Sequence, residues 1–600
     1  MIPVLRAAAV TAAVTVAAAA ALAAAAPTAL AAGSTANPDT GAWQRSGRPE
    51  RLMVVRPTSV DLVSNGTVVQ RLYPAAGSVA ISWLAANVGQ SWISHAHGNL
   101  TTVQVRAAVL LTPGTTLRIG PVTKKVLFTA GTTAASGTWI RGSRATLDVR
   151  GTTLGSVDTN GRETSAAGTA GSPYILMGAG GQLDITDSTI TGFGLPGTGH
   201  AGFSGVTWGK GSTGYAVGSS FVGNRTGLRL AGSSGVRLSK VTVKGSVGDG
   251  VVLNGDTGTT VQNLTSQGNG RNGLAAGGTD QRNLSGISTR DNHGSGVKAT
   301  AQNGLRLTGV TSQGDKGGGI RLVSCAGCTV DRAVVDGAPV ALAVSGAGSQ
   351  VTVKDPQLSN GVTGVSLAAG IKGAAVSGGT VRAFERGIAI SGSDVTVRAT
   401  TVRDSRTGIS VYGRAGNTAL NGVTVRGGRV GVTASGTTSG VSLTGVRISG
   451  TSSKGLSSAS PGLRVTGGSV SGATTAVDLG ASARLDTLTV SGARRGVHLA
   501  AGVHATGTAL DVLAERKGIE VGRKARMDLT DSRVRAPIAL SGQGSVQRHG
   551  NTQVTLPPFP WLGFAALLAL TLAAGLQTVH QVRHRRTPLP RVAGHIRNIA

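Results

Sequence analysis

Acids, bases and cations recur at one place in the repeat between Asp249 and Lys316. Measured from the start of each repeat, Ser246, Asn269, Asn292 and Asp315 stand four residues ahead, and Arg271, Asp291, His293, Lys316 and Asp249 lie beside them. Such a set fits chemistry on a sugar acid. Taking the proton next to a sugar carboxylate needs a base, and it needs a cation to neutralise the carboxylate and hold the enolate-like charge that develops. His293 or Lys316 could be the base, Arg271 the carboxylate partner and Asp291 the group that orients His293. Asn292 and Asp315 would touch substrate, as would Lys210 and His200 from the Gly-rich stretches before them. A hydrolase would instead need two carboxyl groups about 5–9 Å apart, and Asp291 with Asp315, one repeat apart, is the pair to consider. The same residues have a plain structural reading: charged turn residues of a repeat protein are solvated, and Ser246, Asn269, Asn292 and Asp315 form a hydrogen-bonded polar ladder.

The repeat itself is regular. Gly227-Leu228-Arg229-Leu230, Gly250-Val251-Val252-Leu253, Gly273-Leu274-Ala275-Ala276, Gly296-Val297-Lys298-Ala299 and Gly319-Ile320-Arg321-Leu322 begin 23 residues apart. A fixed period in the twenties means stacked units, each covering its neighbour's apolar face. Within one unit Leu228 and Leu230, Val236 and Leu238, then Val241 and Val243 alternate with polar residues. This predicts three short strands separated by Gly/Ser turns. Frequent glycine opposes a helical solenoid, and the leucine-rich-repeat signature is absent. The fold class is all-β, a parallel β-helix. The aliphatic column continues through Val340, Val365, Ile388, Ile409, Val432, Leu456, Val477, Val497, Ile519 and Ile538. Upstream, Pro173-Tyr174-Ile175-Leu176 and Gly205-Val206-Thr207-Trp208 read as earlier registers, which puts Trp208 in the core. Some 19 coils at about 4.8 Å each would make a rod of roughly 90 Å.

Residues 1–32 read as an export signal: Arg6, a long Ala/Val run, and Ala29-Leu30-Ala31 for cleavage. An uncleaved anchor is the alternative. Residues 33–102 are a flexible lead and an N-terminal cap, with a helix predicted over Ser78–Val88 and Ser78 as its cap. The coil is expected over 103–545 and a stalk over 546–560. Trp561 to Val579 runs 19 residues without a charge, about 28 Å as a helix, enough to span a bilayer. The tail 580–600 carries Arg583, Arg585, Arg586, Arg591 and Arg597, which favours a cytoplasmic end and an extracellular coil.

Net charge is +31. Without Arg6 and the five tail arginines the exported part holds 51 basic against 26 acidic residues, about +25. Such a surface attracts polyanions. The expected partner is an acidic polysaccharide or another envelope polyanion. Nucleic acid is not expected, because neither an aromatic-interleaved basic patch nor a duplex-reading motif is present. Cys325 and Cys328 form Cys-Ala-Gly-Cys within the β-repeat. A local disulfide in an oxidising compartment is expected, with free thiols the alternative. His95 and His97 lack a third ligand nearby, so no metal is expected, and no cofactor.

Repeats such as Asp249-Gly250-Val251-Val252-Leu253 and Thr407-Gly408-Ile409-Ser410-Val411 resemble those of right-handed parallel β-helix proteins of the pectate-lyase-like superfamily. That group includes polysaccharide lyases, hydrolases and mannuronan C5-epimerases. The resemblance covers about residues 103–545 and implies a right-handed coil with a polysaccharide-facing side. The chain has neither the Asp-Pro-His-Asp of mannuronan epimerases nor the acidic cluster of calcium-dependent pectate lyases. Two functions follow: a cell-surface β-helix that binds and modifies an acidic polysaccharide as lyase or epimerase, or a non-catalytic rod for adhesion or envelope assembly. An enzyme would need a cleft beside the Arg271–Lys316 edge, whereas a rod would show shallow ladders.

Overall fold

A computed structural model describes residues 49–74, 78–96, 99–164, 167–196, 203, 205–278, 282–556 and 561–584. All belong to one compact unit, Arg48–Ala600. The export signal, His97, His200 and the tail beyond 584 lie outside the described residues.

The chain winds as a parallel β-solenoid of about 19 turns. Each turn contributes a strand to three sheets, and within the regular stretch the partner lies one repeat away. In the first sheet Leu228 pairs with Val251, Val251 with Leu274, Leu274 with Val297 and Val297 with Ile320. All five side chains are buried. The second and third strands of a turn can run together, as in Arg237–Lys244, where Lys240 takes a positive φ and turns the chain between Leu238 and Val241. The inward residues stack into one continuous core, each worth about 1.5–3 kcal/mol when fully buried.

The glycine that opens each repeat is explained by contact between turns. A Cβ on Gly250 would lie 2.6 Å from the Gly273 carbonyl oxygen, and one on Gly408 would lie 2.5 Å from that of Gly431. The backbone of the next turn occupies the space a side chain would need.

Several positions differ from the sequence reading. Ile320 pairs with Leu342, not Val340, and Ile519 with Leu540, not Ile538. Val340 and Ile538 open their strands two residues ahead of the column, and Ile538 is exposed. Both follow a proline, and the aliphatic residue after it mimics the column. Ile175, not Tyr174, is the residue in register with Val206. The coil also begins before residue 103. Arg51–Val55 pairs in parallel with Ala108–Leu111 and antiparallel with Val60–Ser64, and Ser78–Ala80 pairs with Thr116–Ile119. The cap helix is therefore shorter, Ile81–Asn87, its N-cap being Ala80. At the other end Ser545–His549 and Gln553–Thr555 still pair with the preceding turn, so part of the expected stalk is coil. A single helix, Trp561–His584, follows. Its Ala565–Arg583 portion is long and apolar enough to cross a membrane.

Candidate functional site

The ladder is inward-facing. Asn269 Oδ1 accepts from the Ser246 amide at 2.9 Å, Asn292 Oδ1 from the Asn269 amide at 3.0 Å, and Asp315 Oδ1 from the Asn292 amide at 2.9 Å. Thr289 and Ser312 hydroxyls donate to Asp315 Oδ2, each at 2.6 Å. Asn292 and Asp315 are fully buried, so they hold turns together and cannot contact a polymer. Asp315 is likewise unavailable as one of a pair of hydrolytic acids. The spacing that placed these residues on one edge did not say that they point into it.

Arg271, Asp291, His293 and Lys316 are exposed on that edge. Lys316 Nζ lies 3.5 Å from His293 Nε2, and Arg271 Nη1 lies 3.7 Å from Asp249 Oδ2. Among the described residues no hydrogen bond joins Asp291 to His293. Asp291 occupies a left-handed corner, φ +53°, that is Gly268 and Gly314 in the adjoining turns, and aspartate tolerates that conformation. A concavity of about 220 Å³ nearby is lined by Gly317, Gly318, Arg321 and Ser345 but by none of these four. Lys210 is exposed on the turn after Trp208, which is buried as expected. Cys325 and Cys328 are joined in a disulfide within the core.

A cleft does open several turns further along the coil. Thr474, Thr475, Arg494, Arg495, Arg516 and Lys517, from three successive turns, line about 280 Å³. Among the described residues Arg494 and Arg516 have no ion-pair partner. Beside the cleft, the outward residues of the first sheet are Asp478, His498 and Glu520, stacked in register. His498 Nδ1 lies 2.7 Å from Asp478 Oδ1. A carboxylate only accepts, so Nδ1 carries the proton, and in the neutral imidazole Nε2 is the basic nitrogen. Lys454 Nζ sits 2.5 Å from Asp478 Oδ2. Burial would raise the Asp478 carboxyl, but hydrogen bonds from Lys454 and His498 outweigh it and hold the group below the usual carboxylate range. Glu520 is lowered chiefly by its hydrogen bond from Lys517, against burial and helped by the Arg495 charge.

Between these turns and the ladder lies an open basic array. Arg382, Arg403 and Arg426 are in register in the third sheet, and Arg386, Arg406 and Arg429 follow them in the turn. All six are exposed. The sequence carries the signal for this edge and for the cleft: Arg494-Arg495 and Arg516-Lys517 stand just ahead of Gly496 and Gly518, the continuation of the glycine column. Reading that column only where the period is 23 residues leaves them out.

Residues 226–381 match the sequence family described as the right-handed β-helix region. The match covers part of the coil, which as a whole is a parallel β-solenoid of the right-handed type. Solved structures similar to it include the periplasmic alginate epimerase AlgG, at 14% identity over 71% of this chain and 84% of that one, with a TM-score of 0.28. The N-terminal fragment of bacteriophage Phi29 gene product 12 is 11% identical over 76% and 87%, TM-score 0.38. The Dettilon tailspike protein is 11% identical over 48% and 60%, TM-score 0.28. No curated protein matches the chain. Likeness at this level assigns neither a site nor a reaction.

Proposed function

We propose that this chain is an exported β-helix, held at the cell membrane by its C-terminal helix, that binds an acidic polysaccharide along the cationic turn edge and acts on it as a lyase or epimerase at His498. The observation that carries this reading is the four-cation cleft with an oriented Asp478–His498 pair on the same turns. A sugar carboxylate seated against Arg494 and Arg516 would lose part of its charge to the guanidinium groups, which acidifies the neighbouring C–H. His498 Nε2 takes that proton, and the electron pair moves into the enediolate. The pair then either forms a carbon–carbon double bond as the glycosidic oxygen leaves and takes the proton held on the imidazolium, or takes a proton from water on the opposite face. The first outcome is elimination and the second epimerisation. Asp478 stabilises the imidazolium that forms.

The test is product formation by the full chain in detergent on a panel of uronans, read as unsaturated ends or as changed sugar configuration. Product should be lost in His498→Ala and strongly reduced in Asp478→Asn, and it should survive His293→Ala and Asp291→Ala. Product lost with His293 and kept without His498 would return the site to the Arg271–Lys316 edge.

The second reading is a non-catalytic rod for adhesion or envelope assembly. The open array of Arg382, Arg403, Arg426, Arg386, Arg406 and Arg429 favours it, because a surface without a cleft can bind a polymer but does not enclose a reacting group. A uronan panel with salt-sensitive retention and no product from any member would support it.

A further inference from the structure

Two of the four cations in the cleft are already engaged. Glu520 is the next outward residue after Lys517 on its strand. It lies 2.6 Å from Lys517 Nζ through Oε1 and 2.7 Å from Arg495 Nε through Oε2. It does not itself line the cleft. We propose that Glu520 is a built-in competitor: its carboxylate holds Arg495 and Lys517 until a carboxylate of the polymer replaces it, so the cleft is a carboxylate site. This rests on the binding reading above and identifies the ligand group and what regulates its entry.

The argument has three parts. First, two of the lining cations, Arg495 and Lys517, already meet a carboxylate at ion-pair distance from beside the cleft. Second, that carboxylate is held weakly. Its side chain is 21% accessible and Lys517 is 28% accessible, so solvent still screens the pair, which is weakened toward the small contribution of exposed ion pairs. Oε2 is buried and pairs with Arg495 Nε at 2.7 Å without an aligned hydrogen bond, so the contact is not the two-bond fork that guanidinium and carboxylate can form. Third, a ligand carboxylate approaching from the open side can take that fork with two parallel hydrogen bonds, which a displaced Glu520 could not match. Ligand binding then includes the cost of freeing the cations from Glu520, and affinity falls by the fraction of molecules in which they are occupied.

A residue that instead props Arg495 and Lys517 in place for the ligand would give the opposite sign on removal. The experiment measures binding of polygalacturonate, dextran sulfate and polyphosphate to the full chain in detergent, comparing Glu520→Gln with Glu515→Gln. Glu515 lies on the same strand, is exposed, and has no ion pair among the described residues. The two variants change net charge equally. Glu520→Gln should tighten polygalacturonate binding by about two- to fivefold, with Glu515→Gln close to the parent. Glu520→Asp, which keeps the charge but withdraws it by one methylene, should tighten binding less and guards against a folding defect in the glutamine variant.

Equal effects of Glu520→Gln and Glu515→Gln would reduce the result to net charge and overturn the proposal. Weakened binding would make Glu520 a positioning residue. Equal tightening toward all three polymers would overturn the carboxylate assignment. If Arg494→Ala and Arg516→Ala bind polygalacturonate as the parent does, the cleft reading itself fails, which is a separate result.

Discussion

Asn292→Ala separates a structural ladder from a substrate contact. In the folded chain Asn292 Oδ1 accepts from the Asn269 amide at 3.0 Å and from Asn269 Nδ2 at 2.8 Å. Its Nδ2 donates to the Ser266 carbonyl at 3.1 Å and to Asp315 Oδ1 at 2.8 Å. Truncation orphans the Asn269 amide and one N–H of Asn269 Nδ2, whose other N–H keeps Ser266 Oγ at 2.9 Å, and removes a donor from the Ser266 carbonyl, while Asp315 Oδ1 keeps the Asn292 amide. Each orphaned buried group costs about 1–3 kcal/mol. Relaxation and entry of a water into the vacated space reduce the sum, so a loss of roughly 3–5 kcal/mol is expected. The adjacent residue, His293, is exposed, and its replacement by alanine should stay within about 0.5 kcal/mol. The assay is urea unfolding of the intact chain in detergent, with hydrogen exchange of strands Thr260–Gln267 and Asn283–Arg290 as a local readout, since a repeat protein can open turn by turn. An Asn292→Ala variant as stable as His293→Ala, with unchanged exchange in those strands, would refute the ladder as a source of stability.

Four further outcomes are expected. Gly408→Val should destabilise the coil more than Ser410→Val on the same strand, because the new side chain meets the Gly431 carbonyl whereas Ser410 faces outward; thermal melting reads the difference. Asp478 and Glu520 are depressed in the folded state, so their stabilisation is present above the unfolded carboxylate range and is lost as pH falls below about 4 and through the folded values. The urea midpoint should drop over that window, and Asp478→Asn should flatten the drop. Cys325 and Cys328 should resist alkylation after mild reductant and react once denaturant is added, because both sulfurs are buried; labelling in native buffer would contradict their placement. Retention on an acidic polymer should fall steeply with salt, and replacing Arg382, Arg403 and Arg426 with glutamine should reduce that slope.

Much of the architecture is written locally. Alternation at Leu228 and Leu230 or Val241 and Val243 defines a buried face, and the glycine column marks where one turn touches the next. Both can be read without coordinates because the pleat has a period of two and the coil repeats one turn. Inside or outside within a turn is less accessible. Asn292 and His293 are neighbours of similar polarity, yet one is buried in a ladder and the other faces solvent, since after the corner at Asp291 successive side chains point to opposite sides of the chain. Val340 and Ile538 show the same limit: turn lengths vary, and only pairing with the preceding turn fixes the register.

The charged edge divides in the same way. Composition alone established a strongly basic chain suited to a polyanion. Which cations share a surface depended on tertiary stacking, which brings Thr475, Arg495 and Lys517 into one column although they lie 20 or more residues apart in sequence. The Asp478–His498 pair arises from the same cause, because stacking turns distant outward residues into neighbours at hydrogen-bond distance. Sequence decided that the chain would coil and what its surface would carry, and the register of one turn on the next decided which of those groups meet.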